Sequence, residues 1–325
     1  MLRHKKALLW LVTVVSSLFC VVVCEVILRC FFAPPFYQRS DVRVPALRHD
    51  PMLGWFPKEN SHTTAQTTTT YRVDTNSKGF RDREPTTDAK ARIAFLGDSF
   101  VWGFDVEASN RFTELLQVRH PEWNIVNLGI VAYGTDQELL LIQKFFEDYK
   151  PSLVFLVFCS ENDPKDNCWN VRNGCYKPYF TVQASGDLQL NGVPAPKSDQ
   201  IIIANHPILC WPYLVQWGVH DWLKGRLPAP FHNPKEPTDE ILTAMNKFVR
   251  GKGAAFAVGL THHWAPMETF LQGANIPFVD LSTTNRFPDY GFHWTPQGHV
   301  EVCQKIEGFL GERWRPAERK FSGTD

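Results

Sequence analysis

Five short apolar runs set the frame: Ile93–Leu96, Trp123–Val126, Leu153–Cys159, Ala254–Leu260 and Ile276–Leu281. Runs of this length, bounded by turn residues, have the composition of strands buried on both faces. Between them lie stretches with helical spacing. Thr135 to Tyr149 puts Leu139, Ile142, Phe146 and Tyr149 on one side of a helix. Asp239 to Arg250 reads as another, capped by Thr238 or Asp239. Thr295-Pro296 is a helix start, a capping side chain followed by proline at the first helical position. Val302, Cys303, Ile306, Phe309 and Leu310 form the buried stripe of that helix. Alternating strands and helices dictate an α/β chain with a mainly parallel five-stranded sheet covered on both sides.

The first run ends in Gly97-Asp98-Ser99. Ligands of open α/β sheets sit beyond the carboxyl ends of strands. A serine placed there presents its hydroxyl to a cleft, beside backbone N–H groups free to hold an anion. Taken alone, Asp98 or Ser99 also reads as an ordinary helix cap.

Upstream, Arg3, Lys5 and Lys6 precede an apolar stretch from Ala7 to about Phe31. Roughly 20 apolar residues cross a bilayer as a helix. The basic flank stays cytoplasmic, which puts the rest of the chain in the periplasm or outside. The stretch is too long for a cleaved signal peptide, so an uncleaved signal anchor is expected. The chain then divides into a cytoplasmic tail (1–6), the anchor (7–31), an irregular membrane-proximal lead-in (32–90), a catalytic-type domain (91–316) and a tail (317–325). The lead-in holds the threonine-rich stretch His62 to Thr70, read as an exposed hairpin. It also holds the turn Asn76 to Arg81, read as a loop pinned by Phe80. Residues 164–237 interrupt the alternation. A hairpin from Tyr179 to Leu190 and a Trp-rich helix from Trp211 to Leu223 mark an insertion over the strand ends, a cap or lid.

Lysine plus arginine and aspartate plus glutamate balance at 34 each, which argues against a nucleic-acid-binding surface. Eight cysteines are too few for a disulfide scaffold in 325 residues. Cys168 and Cys175 flank a short loop and are able to bridge in an oxidising compartment. His262 and His263 are adjacent, which suits a structural role better than metal ligation, since neighbours on a strand point to opposite faces. Trp102, Trp169, Trp211, Trp217 and Trp222 suit either packing or stacking on sugar rings.

Four stretches are expected at the carboxyl edge of the sheet. They are Ser99, the loop Asn127 to Thr135, Ser160-Glu161-Asn162-Asp163, and Asp289 to Trp294. Together they make an acyl-transfer set. Ser99 is the nucleophile, His293 its base, and Asp289 the carboxylate that fixes the imidazole tautomer. The Ser99 N–H, a loop N–H at Ala132 and the Asn162 amide receive the oxyanion. Asp280 is the alternative carboxylate, and His299 a second imidazole inside the last helix.

In these motifs the sequence resembles the SGNH (GDSL-type) hydrolases, most of all their membrane-anchored extracytoplasmic bacterial members. The resemblance rests on Gly97-Asp98-Ser99, Asn127-Leu128-Gly129 with Tyr133 to Gln137, Glu161-Asn162-Asp163, and His293 to His299. It implies a flavodoxin-like three-layer sandwich and serine ester hydrolysis or acyl transfer, with no metal or cofactor. Three positions depart from the family pattern. Ala132 stands where the oxyanion glycine falls, Ser160 where a glycine precedes the asparagine, and Asp289 is four residues from His293 instead of two or three. The expectation is a membrane-tethered enzyme acting on a small acyl ester, acetyl among the candidates, of an envelope or exported glycan. An inactive glycan- or protein-binding domain and a lipid esterase are the alternatives.

Overall fold

The computed structural model describes residues 2–32, 47–86, 91–198, 211–223, 225–288, 291–315 and 320–321. A single helix, α1 (Leu2–Phe31), opens the chain. By length and composition it is apolar enough to cross a membrane, and none of its apolar window is buried against the protein.

Short antiparallel hairpins follow: β1 (Leu47–Asp50) with β2 (Gly54–Pro57), then β3 (His62–Gln66) with β4 (Thr70–Asp74). The hairpin expected in the threonine-rich stretch is β3–β4, but it is not simply exposed. Ala65, Tyr71 and Val73 are buried against Trp102 and Phe104. Phe80 packs among Phe56, Phe145 and Tyr149. The buried Arg81 guanidinium donates to the carbonyls of Arg72, Trp102, Gly103 and Val106. Within residues 47–86, then, the two hairpins and the turn at Phe80 contribute to the core.

The main sheet contains β5 (Arg92–Gly97), β6 (Asn124–Gly129), β7 (Leu153–Phe158), β12 (Ala255–Leu260) and β13 (Phe278–Asp280). All pairings are parallel and the order is β6-β5-β7-β12-β13. This is the 2-1-3-4-5 order of flavodoxin-like sheets, whose ligands bind where the strand order reverses, at the carboxyl end of the first strand. Alternation along β5 sends Ala94 and Leu96 to one layer and Ile93 and Phe95 to the other. The first layer contains α4 (Thr135–Tyr149), α7 (Thr238–Gly251) and α8 (Ala265–Gly273). The second contains α3 (Phe112–Arg119) and α9 (Pro296–Arg313). Thr295 caps α9, its hydroxyl accepting from Gly298 N at 3.2 Å.

The insertion contains α5 (Asp163–Asp166) at its start, then β8 (Val171–Arg172) paired with β9 (Cys175–Tyr176). β10 (Tyr179–Val182) then pairs with β11 (Leu188–Asn191), and α6 (Tyr213–Leu223) follows. Cys168 and Cys175 do not bridge: the Cys168 thiol donates to Pro164 O at 3.3 Å, and Cys175 Sγ accepts from Ser198 Oγ at 3.6 Å.

Candidate active site

β5 ends at Gly97, and the chain turns at once into the one-turn helix α2 (Ser99–Trp102). The turn is too tight for a side chain at Gly97, where a Cβ would lie 2.5 Å from Val101 Cγ2. Asp98 caps α2 by accepting from Phe100 N at 2.9 Å. The capping role read from the sequence is therefore real, and Ser99 keeps its hydroxyl for another partner. Asn127 braces the turn from β6. Its amide donates to Val101 O at 2.7 Å and to Thr113 Oγ1 at 3.1 Å, while its Oδ1 accepts from Gly129 N.

The Ser99 Oγ lies 2.8 Å from His293 Nε2. His293 stands on the segment before α9, fixed by Phe287 N donating to its carbonyl at 2.8 Å. Gly291 and Phe292 precede it with φ of 83° and 47°. A Cβ at Gly291 would lie 2.4 Å from His293 Cε1, so this turn needs glycine for the ring to take its place. Phe100 and Phe104 flank the ring, with centroids 5.2 and 4.6 Å away.

The carboxylate facing the other ring nitrogen is Asp105, whose Oδ2 lies 3.5 Å from His293 Nδ1. Asp105 comes from the segment just after α2 and has φ 68°, a conformation that aspartate tolerates better than most residues. Its other oxygen, Oδ1, accepts from Thr67 Oγ1 and from the N–H groups of Thr68 at 3.0 Å and Thr69 at 3.4 Å. The tip of the β3–β4 hairpin thus grips one oxygen and leaves the second for the imidazole. Burial pushes the Asp105 carboxyl up, but the contacts with His293, Thr67 and Thr69 outweigh it and hold the group below the usual carboxylate range. The threonines carry the only sequence signal of this arrangement, and nothing in it names their partner.

Asp289 lies outside the described residues. Asp280, the alternative, turns its carboxylate to Ser282, accepting from its N–H at 2.8 Å and its hydroxyl at 2.7 Å. His299 is fully buried and accepts from Phe112 N at 3.3 Å, joining α9 to α3. His262 and His263 pair with Glu161 and Glu268.

A cavity of about 570 Å³ opens over Ser99 and His293, with Ala132, Asn162 and the inserted hairpin's Arg172 in its wall. Ala132 has φ 63°, so a non-glycine residue holds the left-handed conformation. The Asn162 amide donates to Asp98 Oδ2 at 3.1 Å, which leaves its second N–H available. Burial raises the Asp98 carboxyl above its ordinary value despite its bonds to Phe100 and Asn162. Trp102 is fully buried, and Trp169 packs on His232 with centroids 4.6 Å apart. Among the described residues, no group of three or more His, Cys, Asp or Glu is placed to hold a metal ion.

No family model matches the chain, and no curated protein matches it. Among solved structures it is similar to TesA, at 12% identity over 67% of this chain and 97% of that one, with a TM-score of 0.41. It is also similar to a lipolytic protein of the G-D-S-L family from Veillonella parvula DSM 2008. There the identity is 13%, the coverage 67% and 96%, and the TM-score 0.40. A third is the esterase EstA from a Pseudoalteromonas species, at 12%, 68% and 100%, with a TM-score of 0.40. The chain has a flavodoxin-like α/β fold, a 2-1-3-4-5 parallel sheet with Gly97-Asp98-Ser99 at the carboxyl end of its first strand.

Proposed function

We propose that the protein is a serine ester hydrolase or acyltransferase, tethered to a membrane by α1. The observation that carries this reading is the 2.8 Å contact between Ser99 Oγ and His293 Nε2 at the floor of the cavity. His293 takes the hydroxyl proton as Ser99 attacks the ester carbonyl, then returns it to the leaving alcohol. Asp105 keeps the imidazole proton on Nδ1 and balances the charge of the imidazolium. The oxyanion is received by the N–H groups of Ser99 and Ala132 and by the Asn162 amide. One such donor contributes about 3–4 kcal/mol to transition-state stabilisation. Water, or a sugar hydroxyl in the transfer reaction, then releases the acyl group from Ser99.

The tether supports a substrate in the cell envelope, and a small acyl ester of an envelope or exported glycan fits both the cavity and the anchor. The basic flank Lys5-Lys6 supports a cytoplasmic N-terminus with the catalytic domain on the opposite side. The test uses the full chain with a p-nitrophenyl acetate assay and a fluorophosphonate probe. The wild type is expected to turn over the ester and to be labelled at Ser99. Ser99→Ala is expected to lose both while keeping its melting temperature. Equal activity in the two proteins rejects the nucleophile, and an unlabelled, inactive wild type favours a binding role.

A further inference from the structure

Helix α6 of the insertion does not pack over the cavity; it meets the far end of α1. Glu25 of α1 accepts from the N–H groups of Tyr213 at 3.0 Å and Leu214 at 3.1 Å, the first turn of α6. Arg29, one turn further along α1, pairs with Glu25 at 2.6 Å and donates to Trp211 O at 3.0 Å. Its guanidinium lies over the rings of Trp211 and Tyr213, at 4.3 and 4.5 Å.

The height of this junction follows from helix geometry. From Ala7, just past the basic flank, to Glu25 the helix rises about 27 Å at 1.5 Å per residue. The hydrocarbon core of a bilayer is about 30 Å thick. A span that begins at Ala7 therefore brings Glu25 and Arg29 out at the opposite headgroup layer, and α6 with them.

The outward face of α6 suits that layer. Val215, Gly218 and Trp222 are exposed and follow the i, i+3, i+7 spacing of a single helical row, and Trp211 is exposed two residues before the helix begins. Arginines sit over tryptophans at both ends of α6, Arg29 on Trp211 just before it and Arg226 on Trp222 at 4.7 Å. Tryptophan with a cation beside it is the side-chain chemistry of the membrane–water interface, with the ring at the acyl boundary and the guanidinium at phosphate.

We infer that α6 is a second membrane contact, lying in the interface with this row against lipid and holding the catalytic domain against the bilayer surface. The inference rests on the reading of α1 as a membrane span. The test places the photo-crosslinker benzoylphenylalanine at position 215 or 222 of the full chain, with position 118 as the control. Val118 is apolar and 81% exposed on α3. The proteins are reconstituted in phosphatidylethanolamine–phosphatidylglycerol vesicles, their melting temperatures are checked, and photoproducts are identified by mass. Lipid adducts at 215 and 222, at least tenfold above those at 118, are expected. Adducts no more frequent than at 118, or crosslinks to a second copy of the chain, overturn the inference. Alkaline carbonate extraction separates the two readings. A chain that stays with the vesicles but gives no lipid adducts refutes the α6 contact alone, whereas release by carbonate refutes the span and the inference built on it.

Discussion

Asp105 reaches His293 from the Ser99 side of the cavity, with its Oδ2 3.5 Å from the imidazole Nδ1. The imidazole and the carboxylate facing it therefore do not share a loop, and the β3–β4 hairpin tip sets the distance between them.

Asp105→Asn is expected to lower kcat/KM by about 10²- to 10⁴-fold with little change in KM, because the amide no longer fixes the imidazole tautomer. Asp289→Asn is expected to stay within about threefold of wild type. Steady-state kinetics of both variants on one ester decide between the carboxylates, and the opposite ranking returns the role to Asp289. Asp105 also contributes to stability. Its carboxyl is held below the ordinary value, so that contribution is present above about pH 4 and is lost as acid protonates it. Acid unfolding of the Asn variant should lack this component.

Ala132 holds φ 63° beside the site. A left-handed conformation costs an L-residue roughly 1–2 kcal/mol, and glycine avoids that cost while losing more backbone entropy on folding. Ala132→Gly is expected to raise stability by about 0.5–1 kcal/mol and to retain activity, since the N–H survives. Ala132→Val is expected to lose about 1–2 kcal/mol, its branched side chain suiting this conformation poorly. Urea denaturation of the pair reads the difference.

His299 is buried as a neutral acceptor, and burial, helped by the nearby Arg111, lowers its pKa to about 3. The unfolded chain binds a proton at this residue below about pH 6.5, which the folded chain refuses until about pH 3. The contribution of His299 is thus intact above pH 6.5 and declines by up to about 1.4 kcal/mol per pH unit as the medium is acidified. The buried carboxyls of Asp82 and Asp166, raised by burial to about 6 and about 7, pull the other way. The measurement is therefore the difference between wild type and His299→Gln. That difference should shrink steadily from pH 6.5 downward, and a constant offset would refute the assignment.

The sheet and its helices are legible because each is written in local periodicity. The run Ile93–Leu96 became a strand, Thr135 to Tyr149 became α4 within those bounds, and Thr295 caps α9. The meeting of Ser99 and His293 is legible because strand ends and the α9 cap fix where each must stand. The approach of Asp105 to His293 is not, because it depends on the hairpin Thr67–Thr69 arriving from another part of the chain, and no periodicity records that meeting. The burial of the β3–β4 hairpin is hidden for a related reason. Its threonines are polar, but pairing turned Ala65, Tyr71 and Val73 to one face, and Trp102 and Phe104 cover that face.

Ser99 hangs from β5, which is hydrogen-bonded to β6 on one side and β7 on the other. His293 and Ala132 arrive instead on connecting segments, and Arg172 on the short inserted hairpin β8–β9. Substitutions in those segments are free to retune or silence the chemistry while the scaffold stays folded, so a protein of this build can change what it acts on without first losing the means to stand.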